Sequence, residues 1–392
     1  MSWPATRLGS LLLDARPGFA SGEELDSGIL QVRMNNVKPD GAWDWTKRRF
    51  VPATARQIER YSLQLGDVLF NSTNSAEQVG KSALYKKHVE SVVCFSNHFI
   101  RLRTDSEKLA PEYLVHFLGW LWGRRVFENM VNSWVNQATV RREDLLDLGI
   151  PLPPLTEQKR IAAILDKIDA ARLKRQQTMQ LVDDFLKSVF LDMFGDPVVN
   201  SKGWEMKSIK EMAVVTTGNT PPRGDVDNYG DFIEWIKSDN INTPSDFLTV
   251  AAESLSEAGY MIGRHVAAGS TLLTCIAGSF ECIGNVAYVD RLVAFNQQIN
   301  ALTPKVGVNE VFLYSLAKYC KKIIQAASTG GMKGMVSKGK LESVRLICPP
   351  ENLQRKFAEV FCGCQSLRKG MERSASEISE GLSSIKQRAF SG

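Results

Sequence analysis

Apolar residues recur three or four apart along two long stretches of the chain. In the first they are Ile161, Ile164, Ile168, Ala171, Val182, Phe185 and Val189, interrupted by the polar run Lys174-Arg175-Gln176-Gln177. In the second they are Phe357, Val360, Cys364, Leu367, Met371, Ile378, Leu382 and Ile385. This spacing predicts two amphipathic helices, each with one apolar stripe. No proline interrupts either run, so each helix is expected to reach ~58 Å at the helical rise. A helix of that length with a single stripe buries it as a coiled coil, and the economical arrangement pairs the two helices with each other. Elsewhere the pattern shortens to β-rich runs separated by Gly, Asn and Asp turn signals, with a helical stretch late in each set, near 111–132 and 309–327.

The chain is also a repeat. Pro153-Pro154-Leu155-Thr156-Glu157-Gln158-Lys159-Arg160-Ile161-Ala162 matches Pro349-Pro350-Glu351-Asn352-Leu353-Gln354-Arg355-Lys356-Phe357-Ala358 at an offset of 196, and the register holds to Phe194 opposite Phe390. In each, proline ends an extended approach and a polar residue, Thr156 or Asn352, is expected to cap the helix. The preceding regions correspond more loosely. Val32-Arg33-Met34-Asn35-Asn36-Val37 resembles Ile236-Lys237-Ser238-Asp239-Asn240-Ile241, Val79-Gly80 is matched by Ile283-Gly284, and Phe95-Ser96-Asn97-His98 by Phe295-Asn296-Gln297-Gln298. The chain therefore reads as an α+β protein with an internal repeat: a globule at 1–152, a long helix at 153–195, a second globule at 196–348 and a second long helix at 349–392.

Composition narrows the classes. The 392 residues, 44% apolar and 23% charged, fit a folded protein of two or three domains. The net charge of +5 and pI of 8.7 permit a nucleic-acid partner without requiring one. Seven irregularly spaced cysteines read as reduced cytosolic thiols. His88, His98, His116 and His265 have no metal-ligand spacing, so no metal is expected on this chain. No apolar run approaches the ~20 residues of a membrane span, and Met1-Ser2-Trp3-Pro4 lacks the basic start of a signal peptide. The expectation is a cytoplasmic protein with no membrane partner.

No catalytic constellation emerges. The segment 75–82 resembles a phosphate-binding loop around Gly80-Lys81-Ser82 but lacks the first glycine, and Gly284 in the second half has no lysine after it. The shared element is a structural glycine. His98 could act as a base, yet Gln298 holds its place in the other half. Binding chemistry remains. The run 43–50 interleaves aromatics with Lys47, Arg48 and Arg49, while Asn71, Ser72, Thr73, Asn74 and Gln78 cluster in one expected loop near Lys81. Asn97, His98, Asn136 and Gln137 extend the set in the first half. Thr220, Arg223, Lys237, Asn240, Asn285, Gln297 and Gln298 supply it in the second, with Lys333 and Lys338 from a glycine-rich cationic loop. Amides and guanidinium groups suit bidentate contacts to base edges, and lysines suit phosphates. Each residue taken singly reads more simply as part of a solvated loop. Their joint appearance in corresponding loops favours DNA binding.

The Pro153–162 motif, the ending Lys187 to Gly195, the paired globules and the second Pro-Pro helix together resemble a specificity subunit of a type I restriction–modification system, across nearly the whole chain. The resemblance implies two target recognition domains, each reading one half of a split target in double-stranded DNA. It implies an antiparallel helix pair that sets the spacer, in pseudo-twofold symmetry. Ile161, Ile164, Ile168, Val182, Phe185, Val189, Phe357, Val360, Leu367, Ile378, Leu382 and Ile385 would form the seam. It further implies two methyltransferase subunits carrying S-adenosylmethionine, two restriction subunits using ATP and Mg²⁺, and no catalysis or cofactor on this chain. The second helix departs from the pattern, with Leu353 opposite Glu157 and Asn352 opposite Thr156. A coiled-coil adaptor that touches no DNA is the alternative; it accounts for the helices and leaves the loop chemistry unexplained.

Overall fold

The structure, a computed structural model, describes residues 3–86, 91–134, 137–328 and 334–391. It divides into two compact units, residues 1–175 with 372–392, and residues 176–371. Each unit thus takes in one globule and part of each long helix.

In the first unit, strands Leu12–Pro17, Phe99–Thr104, Val68–Asn71 and Ser82–Leu84 form an antiparallel sheet in that order. Its inner strand Val68–Asn71 is buried along its whole length, which explains a continuous apolar run where one solvated face would give alternation. Val68 and Phe70 face a core shared with helix Pro111–Gly123, whereas Leu69 faces a second core shared with Leu30, Val93 and Phe95. The helix earns its place through Tyr113, Leu114, Phe117, Leu118 and Leu121, spaced on one face, with Pro111 at its start. A further sheet runs Phe50–Val51, Ile29–Val32, Val93–Phe95, the last two parallel. Ala5–Arg7 pairs with Gly149–Pro151 and closes the globule at its base.

The second unit repeats this plan. Its sheet order is Ala213–Thr217, Ile299–Pro304, Thr271–Thr274, Val286–Tyr288. Leu273 and Leu302 face the core of helix Glu310–Tyr319, and Leu272 and Ala301 face the other core. Strand Ile233–Ile236 lies parallel to Val293–Phe295, and Met206–Ser208 pairs with Arg345–Ile347 at the base. Gly80 and Gly284 both take left-handed backbone, φ 89° and 78°. A Cβ on Gly80 would lie 2.3 Å from the Phe127 ring, so this glycine is fixed by packing.

The long helices are Leu155–Phe194 and Glu351–Phe390. Capping by Thr156 and Asn352 would start the helices at 157 and 353, and both begin two residues earlier. The Pro154 carbonyl accepts from Glu157 and Gln158, and the Pro350 carbonyl from Leu353 and Gln354. Thr156 and Asn352 therefore sit inside the first turn, and proline, whose fixed φ suits a helix entrance, holds the boundary.

Packing along the helices corrects the expected seam. In the first unit Ile161, Ala162 and Leu165 are buried in one cluster with Leu382, Ala389 and Phe390, flanked by Ile168 and Ile385. The Phe390 ring lies 5.3 Å from Tyr113 and 5.7 Å from Phe117. In the second, Leu186, Phe190 and Phe194 are buried with Phe357, Phe361 and Cys364, flanked by Val182, Val189 and Val360. Ile164 and Ile378 are half-buried. Phe185 and Leu367, expected on the seam, are 53% and 60% exposed. A step of three residues turns back about 60° and a step of four advances about 40°. From Val182 the inward line therefore advances by fours to Leu186, Phe190 and Phe194.

Candidate nucleic-acid interface

The candidate side chains fall into two classes, those spent on the fold and those left at its surface. The turns 95–98 and 295–298 illustrate both. Each links a three-residue strand of one sheet, Val93–Phe95 or Val293–Phe295, to a six-residue strand of the other, Phe99–Thr104 or Ile299–Pro304. The His98 carbonyl accepts from the Ser72 amide at 2.9 Å, the Asn71 amide side chain at 3.0 Å and the Ser72 hydroxyl at 3.1 Å. The Gln298 carbonyl accepts likewise from the Cys275 and Ile276 amides at 2.8 and 3.1 Å. The side chains of His98 and Gln298 are half-buried, while Asn97 and Gln297 are exposed.

Several expected readers are thereby reassigned. Asn71 and Ser72 are buried and hold the turn. Asn74 donates back to Asn71 at 2.6 Å, and Thr73 lies 3.3 Å from the Thr139 hydroxyl. Lys81 is buried and donates to the Val37 carbonyl at 2.9 Å. Burial, then the nearby Lys47 charge, pushes its ammonium below the ordinary lysine range. Arg49 folds back on the Ser21 and Glu23 carbonyls and on Gln31 and Glu24. Asn240 is buried and receives the Lys237 amide at 3.0 Å, as Asn36 receives the Arg33 amide at 2.8 Å. Asn285 is held by Asn242 and Lys321. A buried polar group must find such partners, and these side chains have found theirs inside the globule.

Lys47, Arg48, Gln137, Arg223 and Lys338 are exposed, and Gln78, Thr220 and Lys237 are half-buried at the surface. The Thr220 hydroxyl donates to Gln297. Lys47 lies 3.6 Å from Asp44, and Lys338 3.8 Å from Glu342. Asn136 and Lys333 lie outside the described residues, as does His88. Trp43 and Trp45 stack on each other at 4.8 Å against a core, so the aromatics of the 43–50 run serve packing.

Glu253 has no part in the sequence reading, yet its carboxylate receives Lys237 at 2.5 Å and Arg223 at 2.9 Å. The Lys237 hydrogen bond above all, then Arg223, outweighs a burial effect and holds this carboxyl below its ordinary range. Two glutamines, Gln158 and Gln354, hold the starts of the long helices. Both are fully buried. Gln158 accepts from the Ala110 amide at 2.9 Å and donates to the Lys108 and Pro153 carbonyls. Gln354 accepts from the Asn309 amide at 2.8 Å and donates to the Gly307 and Pro349 carbonyls. The signal was present, because glutamine survives at this position in both copies of the Pro-Pro motif.

Among the described residues no group of His, Cys, Asp and Glu could hold a metal ion, and no helix is long and apolar enough to cross a membrane. A duplicated α+β globule, each copy ending on a long helix and presenting polar loops, defines a tandem recognition scaffold. Residues 33–182 and 201–362 match the family of type I restriction modification DNA specificity domains, and the chain belongs to that family. It is 25% identical over 378 residues to a putative type I restriction enzyme specificity subunit, MjaX, of Methanocaldococcus jannaschii, covering 91% of this chain and 85% of the relative. It is 28% identical over 172 residues to the StySPI specificity subunit of Salmonella potsdam, a match spanning 37% of that relative. The fold matches the crystal structure of a type I restriction–modification S subunit from M. genitalium with a TM-score of 0.65, at 13% identity, over 100% of this chain and 96% of the other. A chain from a structural study of type I restriction–modification complex assembly gives 0.56 at 17% identity, over 99% and 97%.

Proposed function

We propose that this chain is the DNA-specificity subunit of a type I restriction–modification complex and acts in the cytoplasm. Each globule reads one half of a bipartite double-stranded target. The observation that carries this reading is the duplication itself. Two copies of one scaffold offer exposed polar side chains from the same turn, Asn97 in one and Gln297 in the other, with different chemistry around them. Base edges supply the sequence information and phosphates the affinity.

In this reading the two long helices form an antiparallel coiled coil relating the globules by pseudo-twofold symmetry. Both run for 40 residues, and their length sets the unread spacer. Two methyltransferase subunits dock on the scaffold and carry S-adenosylmethionine. Two restriction subunits add ATP- and Mg²⁺-dependent translocation and cleavage. The chain itself performs no chemistry.

Methylome sequencing of a host carrying the chain with its methyltransferase tests this. A split motif is expected. A matched deletion in both helices should change the spacer and leave both half-sites intact. Unchanged spacing with altered half-sites would sink the ruler, and DNA binding indifferent to salt and sequence would favour the adaptor.

A further inference from the structure

The two globules place different chemistry at one shared position. In the first, the Gln31 amide donates to the Arg49 carbonyl at 2.9 Å, and the Gln31 side chain donates to the Phe19 carbonyl at 2.9 Å. In the second, the Trp235 amide donates to the Glu253 carbonyl at 3.0 Å, and the Trp235 indole to the Asn219 carbonyl at 3.3 Å. The backbone frame is the same, so Arg49 and Glu253 are counterparts of opposite charge. Arg49 closes a loop within its own globule. Glu253 does something else, because its two oxygens are divided between two cations.

One of these, Arg223, is held on three sides. Its guanidinium bonds to Glu253 and lies 4.7 Å from the Tyr229 ring centroid and 4.9 Å from that of Trp235. The two rings meet edge to face at 6.0 Å, and Trp235 is buried. Yet the Arg223 side chain is 54% exposed. An exposed ion pair adds little to stability, because ordering two long side chains in water costs about what the pair gains. The arrangement therefore has little value as a staple. Its effect is to present a planar guanidinium in one orientation at the surface.

We propose that Arg223 reads a guanine edge in the second half-site and that Glu253 is its positioning residue. This rests on the reading of the second globule as a DNA-recognition domain. With Nη1 tied to Glu253, the opposite side of the guanidinium keeps two parallel N–H donors. Their spacing matches O6 and N7 of guanine in the major groove. Rigidity favours a base edge over a phosphate, since phosphate contacts tolerate a flexible cation. Lys237, 5.1 Å from the Trp235 ring centroid, offsets the Glu253 charge so that the carboxylate does not repel the duplex.

The test uses the full chain in its assembled methyltransferase complex, acting on a randomised duplex library. Arg223→Lys keeps the charge and loses the fork. It should relax discrimination at one guanine of the second half-site by about 5- to 150-fold, leaving the first half-site and the spacer unchanged. Glu253→Gln, nearly isosteric, should relax the same position by a smaller factor. Retention of every second half-site position in both variants overturns the inference. Uniformly weaker methylation across all sequences also overturns it, since that marks a phosphate contact. A wild-type complex that selects no bipartite target would instead defeat the underlying reading.

Discussion

Asp246→Ala should destabilise the second unit by about 3 kcal/mol. Asp246 is 2% exposed, and its carboxylate gathers Lys318 Nζ at 2.5 Å, Tyr314 Oη at 2.6 Å, Gln365 Nε2 at 2.6 Å and Arg368 Nη1 at 2.9 Å. Removing one partner of a buried ion pair costs roughly 3–5 kcal/mol, because the other charge is left uncompensated. Two features set the loss at the lower end. Arg368 keeps its contact with Asp183, and the Lys318 side chain is 39% exposed and can turn to water. At roughly 2–4 °C per kcal/mol for a domain of this size, the unfolding midpoint of the second unit should fall by about 6–12 °C. Calorimetry of the full chain, with hydrogen exchange to assign the transition, measures it. Asp246→Ala with Arg368→Met should cost less than Asp246→Ala alone, since the stranded charge is then gone. A loss below about 1 kcal/mol, or strict additivity of the two changes, would refute the argument. Acid provides a further check. Burial is the largest single effect on the carboxyl and raises its pKa, but Lys318, Tyr314 and Arg368 outweigh it and leave it below the ordinary value of 3.8. Its ionisation therefore stabilises the fold above that value, and the contribution is lost as pH falls through the lower folded value.

Three further outcomes follow from the packing and the hydrogen bonds. Phe185→Ser and Leu367→Ser should each change stability by no more than about 0.5 kcal/mol, whereas Leu186→Ala should cost about 2–5 kcal/mol; urea unfolding separates them, and the reverse order would restore the original seam. Gln158→Leu strands the Ala110 amide and should cost about 1–3 kcal/mol, with faster amide exchange at 108–111 as its signature. In the assembled complex, Lys81→Met should leave the slope of log affinity against log salt unchanged, while Arg48→Ala should reduce it by about 0.9, the loss of one phosphate contact.

The repeat, the α+β class and both helices were legible because each rests on local periodicity or on self-similarity. Helix phase was less so. Val182 and Val189 are half-buried against the core of the second unit, but a chain of threes leads from Val182 to Phe185, and only the neighbouring globule decides that Leu186 turns inward. The loop residues divide for a related reason. Asn71 and Arg223 are equally polar in sequence, yet Asn71 lies at the end of a buried strand and must satisfy the His98 carbonyl, while Arg223 lies in an exposed loop. Glu253, a lone acid, has no signature in the sequence; its meaning comes from partners 16 and 30 residues away.

The glutamine clamps have a consequence for how such chains diversify. Gln158 grips only main-chain atoms of its globule, the Ala110 amide and the Lys108 carbonyl, and Gln354 grips the Asn309 amide and the Gly307 carbonyl. Every residue type except proline offers the same amide, and every residue the same carbonyl. The fastening is thus indifferent to the side chains it holds. A globule of foreign sequence that keeps this loop geometry would meet the same polar joint, so an exchange of globules at the Pro-Pro motif would have to match only the apolar packing of Ile161 and Leu165 against the globule core.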